Sequence, residues 1–328
     1  MSTSPLFRPD WARRLLLIAA LAGTVPLHAQ TFPSKPLRIV VPFGAGGVAD
    51  LTARTVGQKL AESLGQAVVI ENRPGAGGVA AGDAVAKAEP DGHTLLLMSN
   101  GSAVSAGLFK SLPFDTVRDF TPVSTLGYFD IAILTPAESR FKTLAELLSQ
   151  ARANPGKLNL GSINIGSTQN LAAELFKSTA QVDMQVVPFN GTPAVITALR
   201  SGQIDAAVEI LGPVLPQIQA KALRVLAVTG DKRAAVLPEV PTARESGLPS
   251  FVAASWNALA VPAKTPRDVV ARLNREITAV LNAPEVKKKL ADLNVDASAS
   301  TPEQAAELLG SEIRRWGGVI QRAKIPQQ

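Results

Sequence analysis

The sequence predicts an α/β protein built as two parallel-type lobes in series, joined by two crossover strands. Two observations carry this expectation. Short apolar runs alternate with stretches whose apolar residues recur at three- and four-residue steps, the pattern of strands joined by crossover helices. That alternation runs through one βαβαβ series, restarts near "FTPVSTLGYFDIAILTP", and then runs again.

Each element follows from its residues. "LRIVVPF" is a continuous apolar run, as expected of a strand covered on both faces. Ala53, Val56, Leu60 and Leu64 then mark the buried stripe of a helix. "AVVIEN", a small-residue helix through Ala80–Ala88, the turn "PDG" and "HTLLLM" complete the first series. In the second, "TLAELLSQA" opens on the capping-box pair Thr143 and Glu146. "LNLGS" reads as a strand, "STQNLAAELFKS" as a helix and "MQVVPF" as a strand. "TPAVITALRSG" reads as a helix with Thr192 as N-cap and Pro193 at its first position. "IDAAVEI", "LPQIQAKA" and "LRVLAVTG" continue the series. "SWNALAVPA" is a long strand, and three C-terminal helices follow, the first and third beginning Thr-Pro.

The first lobe has only three early strands, so the C-terminal helices are expected to return to it. The expected division is therefore residues 30–127 with 257–328 as a discontinuous first domain, and 128–256 as the second. The chain crosses near Leu126–Ala132 and again near Ser255–Val261, which makes a hinge over a cleft.

Residues 1–29 read as a secretory signal peptide. Arg8, Arg13 and Arg14 precede an apolar run of 13 residues, Leu15–Leu27, and cleavage is expected after Ala29. The run is too short to span a bilayer. Localisation in the periplasm follows as an expectation. Within the leader three arginines stand against Asp10, so the formal charge of +6 falls to +4 for the exported chain. That charge is scattered, and "KKK" at Lys287–Lys289 reads as a solvated helix face, so nucleic acid is not an expected partner.

Cysteine is absent and only His93 lies outside the leader. This excludes thiol chemistry and histidine-rich metal sites. "SRFK" at Ser139–Lys142 matches a nucleophile pattern without its companion motifs. No cofactor and no catalytic activity are expected.

The hexapeptide "GAGGVA" occurs twice, at Gly44–Ala49 and at Gly75–Ala80, each time between a strand and a helix. The first amides of such a helix have no partner within it and carry the positive end of the helix dipole. Glycine and alanine leave that backbone bare, and open α/β sheets take ligands beyond the carboxyl ends of their strands. Whether both copies touch ligand, or one serves only close packing, is open at this level. Each copy also satisfies G-x-G-x-x-A, but the next acid in strand context, Glu71, stands 27 residues after Gly44 rather than about 20, which weakens a dinucleotide reading. The second lobe offers "GSINIGSTQN" and "VPFNGTPA" at its own junctions. Their hydroxyls either cap helices or bind an anion there.

Taken in order, "PSKPLRIVVPFGAGGVAD", "VVIENRPGAGG", "AVAKAEPDGHTLLLMSNGS", "LPFDTVRDFTPVS", "NPGKLNLGSINIGST", "VVPFNG", "SGQIDAAVE" and "LRVLAVTGDKRAAVLPEVPTARESGLP" resemble one family. This is the extracytoplasmic solute receptors of tripartite tricarboxylate transporters, often called the Bug family. The resemblance spans nearly the whole chain beyond the leader. It implies the two-lobed periplasmic binding protein fold, type II-like, and capture of a small carboxylated ligand. It also implies work with the permease subunits of the transporter; a monomer is expected. By position, Phe43, Gly44, Ala45, Gly46 and Gly47 would hold a ligand carboxylate. Asn100, Ser162, Ser167, Thr168, Phe189, Asn190, Gly191, Thr192 and Glu209 would line the cleft. Asn170 stands where many relatives carry His, Phe189-Asn190 where Tyr-Lys is common, and Glu209 where an aspartate is expected. A ligand sensor reporting to a signalling partner, or a periplasmic enzyme acting on a small organic acid, is the alternative function.

Overall fold

The computed structural model describes residues 32–322 and 325–328; the expected signal peptide lies outside them. Strand β1 (Leu37–Val41) lies between β2 (Val68–Asn72) and β3 (Thr94–Ser99) and is parallel to both. Leu37, Ile39, Val40 and Val41 are fully buried, which is why this strand carries an apolar run rather than an alternation.

The sheet then turns antiparallel. β3 pairs with β9 (Ala254–Pro262), and β9 pairs with β4 (Phe120–Pro136). β4 is 17 residues long and serves two sets of partners. Phe120–Asp130 pair with β9, whereas Ile131–Pro136 pair with β7 (Ala206–Ile210) and β8 (Leu223–Val228). Beyond β7, strand β5 (Asn159–Ile163) lies parallel between β7 and β6 (Gln185–Phe189). The strand order is β2-β1-β3-β9-β4-β7-β5-β6, so two parallel clusters flank an antiparallel centre.

The helices of the first cluster are α1 (Val48–Leu64), α2 (Val79–Ala86) and α3 (Asn100–Leu108). Those of the second are α4 (Leu144–Ala153), α5 (Thr168–Ala180), α6 (Thr192–Arg200) and α7 (Leu211–Gln219). α1 buries Ala53, Val56 and Leu60 as its spacing requires, and ends on Gly65 in the left-handed region. α4 has its capping box, with both the Thr143 and the Glu146 bonds made.

The C-terminal elements are α8 (Arg267–Asn282), α9 (Pro284–Asp292), β10 (Val295–Ala297) and α10 (Pro302–Arg322). α8 packs on α1, and α10 packs on α3 and β4. Trp316 of α10 is fully buried and its Nε1 donates to Asn100 Oδ1 at 2.7 Å.

Three local details depart from the sequence reading. α3 follows β3 without a loop, because Ser99 caps it and Ser102 completes a reciprocal box; its small, polar residues hide the periodicity. β10 is a three-residue strand on β4. The N-cap of α6 is Gly191 rather than Thr192, so Thr192 is already helical and its hydroxyl is free for other work. Ser139 of the "SRFK" match accepts from the Phe141 amide within a turn.

Candidate functional site

Beyond the carboxyl ends of β1, β5 and β6, the strand-to-helix junctions converge on a cavity of about 380 Å³, counting its open mouth. The first cluster contributes Phe43, Gly44, Gly47, Val48, Ala49 and Ser99. The second contributes Thr168 and Gln169 from α5, Thr192 from α6, and Gly191, the N-cap of α6. Ser255 and Asn257 of β9 complete its polar wall, with Phe129, Ile163 and Ile210 as apolar surface. None of these lining residues is Lys, Arg, His, Asp or Glu. An anion held here meets dipoles and neutral donors rather than countercharge.

α1 presents its N-terminus to this space. Its N-cap, Gly47, makes no side-chain cap, and the amides of Val48 and Ala49 find no acceptor within the helix. The Gly46 amide is occupied, donating to Asp50 Oδ2 at 2.9 Å. Burial alone would raise the Asp50 pKa. Hydrogen bonds from Arg54, the Gly46 amide and Asn72 outweigh it and hold this carboxyl below the usual range. Arg54 lies 2.9 Å from Asp50 Oδ1, so the charge is neutralised locally. Asn72 Nδ2 donates to the Phe43 carbonyl at 3.0 Å and fixes the start of the loop.

In the second cluster, Ser167 caps α5 by accepting from the Asn170 amide at 3.1 Å. Thr168 Oγ1 and Ser255 Oγ lie 3.2 Å apart, a hydrogen bond between α5 and β9. Glu209 is fully buried one layer behind the wall. Its Oε2 accepts from Thr192 Oγ1 at 3.2 Å, the Ile210 amide at 3.1 Å and Gln169 Nε2 at 3.5 Å. Burial raises its pKa to about 7, against the lowering effect of those three donors. Glu209 thus orients two lining side chains and is not itself at the cavity surface.

Of the residues expected from the sequence, Phe43, Gly44, Gly47, Thr168, Gly191 and Thr192 are brought together at the cavity. Ala45, Gly46 and Asn190 belong to the same loops, and Phe189 ends β6, without lining it. Asn100 is engaged elsewhere, donating to the Ala254 carbonyl and accepting from Trp316. Ser162 is buried and accepts from Asn170 Nδ2 at 3.2 Å. Ser167 borders the neighbouring cavity instead. Of the polar lining residues, sequence reasoning missed Ser99, Gln169, Ser255 and Asn257. The last two carried a signal: polar residues two apart in an otherwise apolar strand point to one face.

The second glycine copy has a different task. Gly77 and Gly78 are both left-handed, at φ 63° and 66°, and Gly78 is the N-cap of α2. The Gly77 amide donates to the Ile165 carbonyl at 2.9 Å, tying the first cluster to the β5–α5 loop. A Cβ on Gly77 would come within 2.5 Å of the Phe109 ring. This copy borders a separate space of about 470 Å³, which shares Phe43 with the first. Gly77→Ala is therefore expected to lower unfolding stability by about 2 kcal/mol, from positive φ and overpacking together. Gly75→Ala, with nothing within 4 Å, serves as the neutral control in the same urea titration.

Known proteins share this sequence pattern and this fold. Residues 52–325 match the family model described as the tripartite tricarboxylate transporter family receptor. The chain is 34% identical to protein BugT of Bordetella pertussis, across 93% of this chain and 94% of that one. MatC from Rhodopseudomonas palustris, solved with bound malate, is 34% identical with a TM-score of 0.84, covering 88% of this chain and 100% of MatC. Rpa4515 of R. palustris, solved with adipate, is 31% identical with a TM-score of 0.86, covering 90% and 99%. With the sheet, the converging junctions and these likenesses in agreement, the chain has the two-lobed periplasmic binding protein fold and belongs to the tripartite tricarboxylate transporter receptor family, the Bug family.

Proposed function

We propose that this chain is a periplasmic receptor that captures a small carboxylated metabolite and delivers it to the permease subunits of a tripartite tricarboxylate transporter. The reading covers di- and tricarboxylates, aromatic acids and acidic amino acids as ligand classes. One observation carries the reading: a cavity with no charged lining residue among the described residues, onto which the bare N-terminus of α1 and the starts of α5 and α6 converge. The malate of MatC and the adipate of Rpa4515, in relatives of this fold, support it.

Magnitudes are consistent. Hydrogen bonds to a charged group contribute about 1.5–3 kcal/mol each, and micromolar affinity needs about 8 kcal/mol net. Four to six such bonds meet that after the entropic cost of association. Either cluster alone offers only part of them, so the reading includes closure. Residues 30–127 with 257–328 would form one lobe and 128–256 the other. They would hinge where β4 changes partners, between Asp130 and Ile131, and on the approach to β9. A thermal-shift panel of di-, tri- and aromatic carboxylates tests capture. Small-angle scattering with the best ligand tests closure: a smaller radius of gyration is expected, and unchanged dimensions count against a moving clamshell. N-terminal sequencing of the protein recovered from the periplasm is expected to begin at Gln30.

A further inference from the structure

Asn257 lies on β9, the strand that pairs with both β3 and β4 at the centre of the sheet, and it lines the cavity beside Ser255. It is fully buried, at 0% exposure, and among the described residues neither its Nδ2 nor its Oδ1 has a hydrogen-bond partner. Buried amides in folded proteins are almost always paired, because an unpaired one loses its hydration without compensation. The neighbouring polar side chains of the wall are already engaged: Thr168 with Ser255, Thr192 and Gln169 with Glu209.

A primary amide offers donors and acceptors together. The junction amides offer donors only, and suit carboxylate oxygens. A plain carboxylate could use Asn257 Nδ2 but would leave the fully buried Oδ1 unpaired. A carboxylate carrying a hydroxyl on the adjacent carbon satisfies both: an oxygen accepts from Nδ2 while the hydroxyl donates to Oδ1. An ammonium at that carbon could donate as well, but among the described residues no acidic side chain lines the cavity to balance its charge.

We propose that Asn257 is a specificity-determining residue that reads a hydroxyl beside the ligand's carboxylate, so that 2-hydroxycarboxylates are preferred over their deoxy and 2-amino counterparts. The inference rests on the carboxylate reading above and adds the identity of the group next to it.

Calorimetric titration of the exported chain with matched probes tests it: L-malate against succinate and L-aspartate, and citrate against tricarballylate. At least one hydroxy acid is expected to bind tenfold or more tightly than its counterparts. Asn257→Leu, close in volume, is expected to bring the affinity ratio between each hydroxy acid and its counterparts to within about twofold of unity, a ratio that a common loss of carboxylate affinity does not alter. Equal wild-type affinities within each set would overturn the proposal without needing the variant to fold, since solvent would then be serving the amide. A preference that survives in Asn257→Leu, or in Asn257→Ala where the leucine variant does not fold, would overturn it too. If other carboxylates bind but no hydroxy acid exceeds its counterparts, this inference falls and the receptor reading stands; if no carboxylate binds, both fall.

Discussion

Gly47→Asp is expected to abolish carboxylate capture while leaving the fold intact. Gly47 is the N-cap of α1, at φ −82° and ψ 167°, a conformation open to any residue. A Cβ there would meet Thr192 Oγ1 at 3.7 Å and the Gly44 carbonyl at 3.8 Å, which are ordinary contacts. Aspartate is among the preferred N-cap residues, and exchange with glycine changes helix stability by only a few tenths of a kcal/mol. The introduced carboxylate would accept from the same first-turn amides that we assign to the ligand, and would set a negative charge at the cavity wall. Affinity for the best carboxylate is expected to fall at least 100-fold, about 3 kcal/mol, with the midpoint of thermal unfolding nearly unchanged. Gly75→Asp, which places the same side chain at the first residue of the second hexapeptide, has open space around it and is expected to leave affinity alone. Calorimetry on both variants decides the matter: undiminished binding by Gly47→Asp would place the anion elsewhere.

Conformational stability should fall as pH rises from about 4.5 to 7, and Glu209→Gln should remove most of that slope. The folded-state pKa of Glu209 is raised to about 7 by burial, against an ordinary value of 4.5. The folded chain therefore holds a proton that the unfolded chain releases between those values. Stability from this group is fully present below pH 4.5 and is lost as pH climbs through about 7. At about 1.4 kcal/mol per pH unit, the loss amounts to roughly 3 kcal/mol. Glutamine keeps an acceptor for Thr192 Oγ1, Gln169 Nε2 and the Ile210 amide but has no charge to develop in the interior. The variant should match wild type in urea at pH 5 and exceed it at pH 8. Asp130, whose carboxyl burial also pushes upward, accounts for a residual slope of the same sign. Asp50 and Asp91, both held below the usual carboxylate range, add slope only at lower pH. A wild-type profile that is flat between pH 5 and 8 would show that Glu209 stays ionised in the fold.

Much of the architecture was legible because burial imposes a period on the residues. The unbroken apolar run of β1 announced a strand covered on both faces. The stripe of Ala53, Val56 and Leu60 announced α1, and Thr143 with Glu146 announced the start of α4. What escaped had weak local signals. α3 is made of small and polar residues, and its start depends on a cap supplied by the last residue of a strand. Thr192 and Gly191 are both acceptable N-caps, and only the chain's actual path chose glycine. That choice released the Thr192 hydroxyl to Glu209.

The site divides in the same way. The bare junction at Gly44–Ala49 and the hydroxyl-bearing loops at Thr168 and Thr192 stood out as candidates in the sequence, but the residues alone left helix cap and anion site as alternatives, and the resemblance placed them at the cleft. The two hexapeptides, identical in letters, could not be told apart in sequence. One faces the cavity with its helix N-terminus, whereas the other spends its glycines on a close approach between Gly77, Phe109 and the Ile165 carbonyl.

The sequence by itself determined the alternation of strands and helices, the two series, and the positions where backbone is left uncovered, because these depend on neighbours within a few residues. Only the tertiary structure decided that Asn257 stands unpaired at the cavity, that Glu209 works from behind it, and that Asn100 is bound to Trp316, because each depends on contacts between elements far apart in the chain.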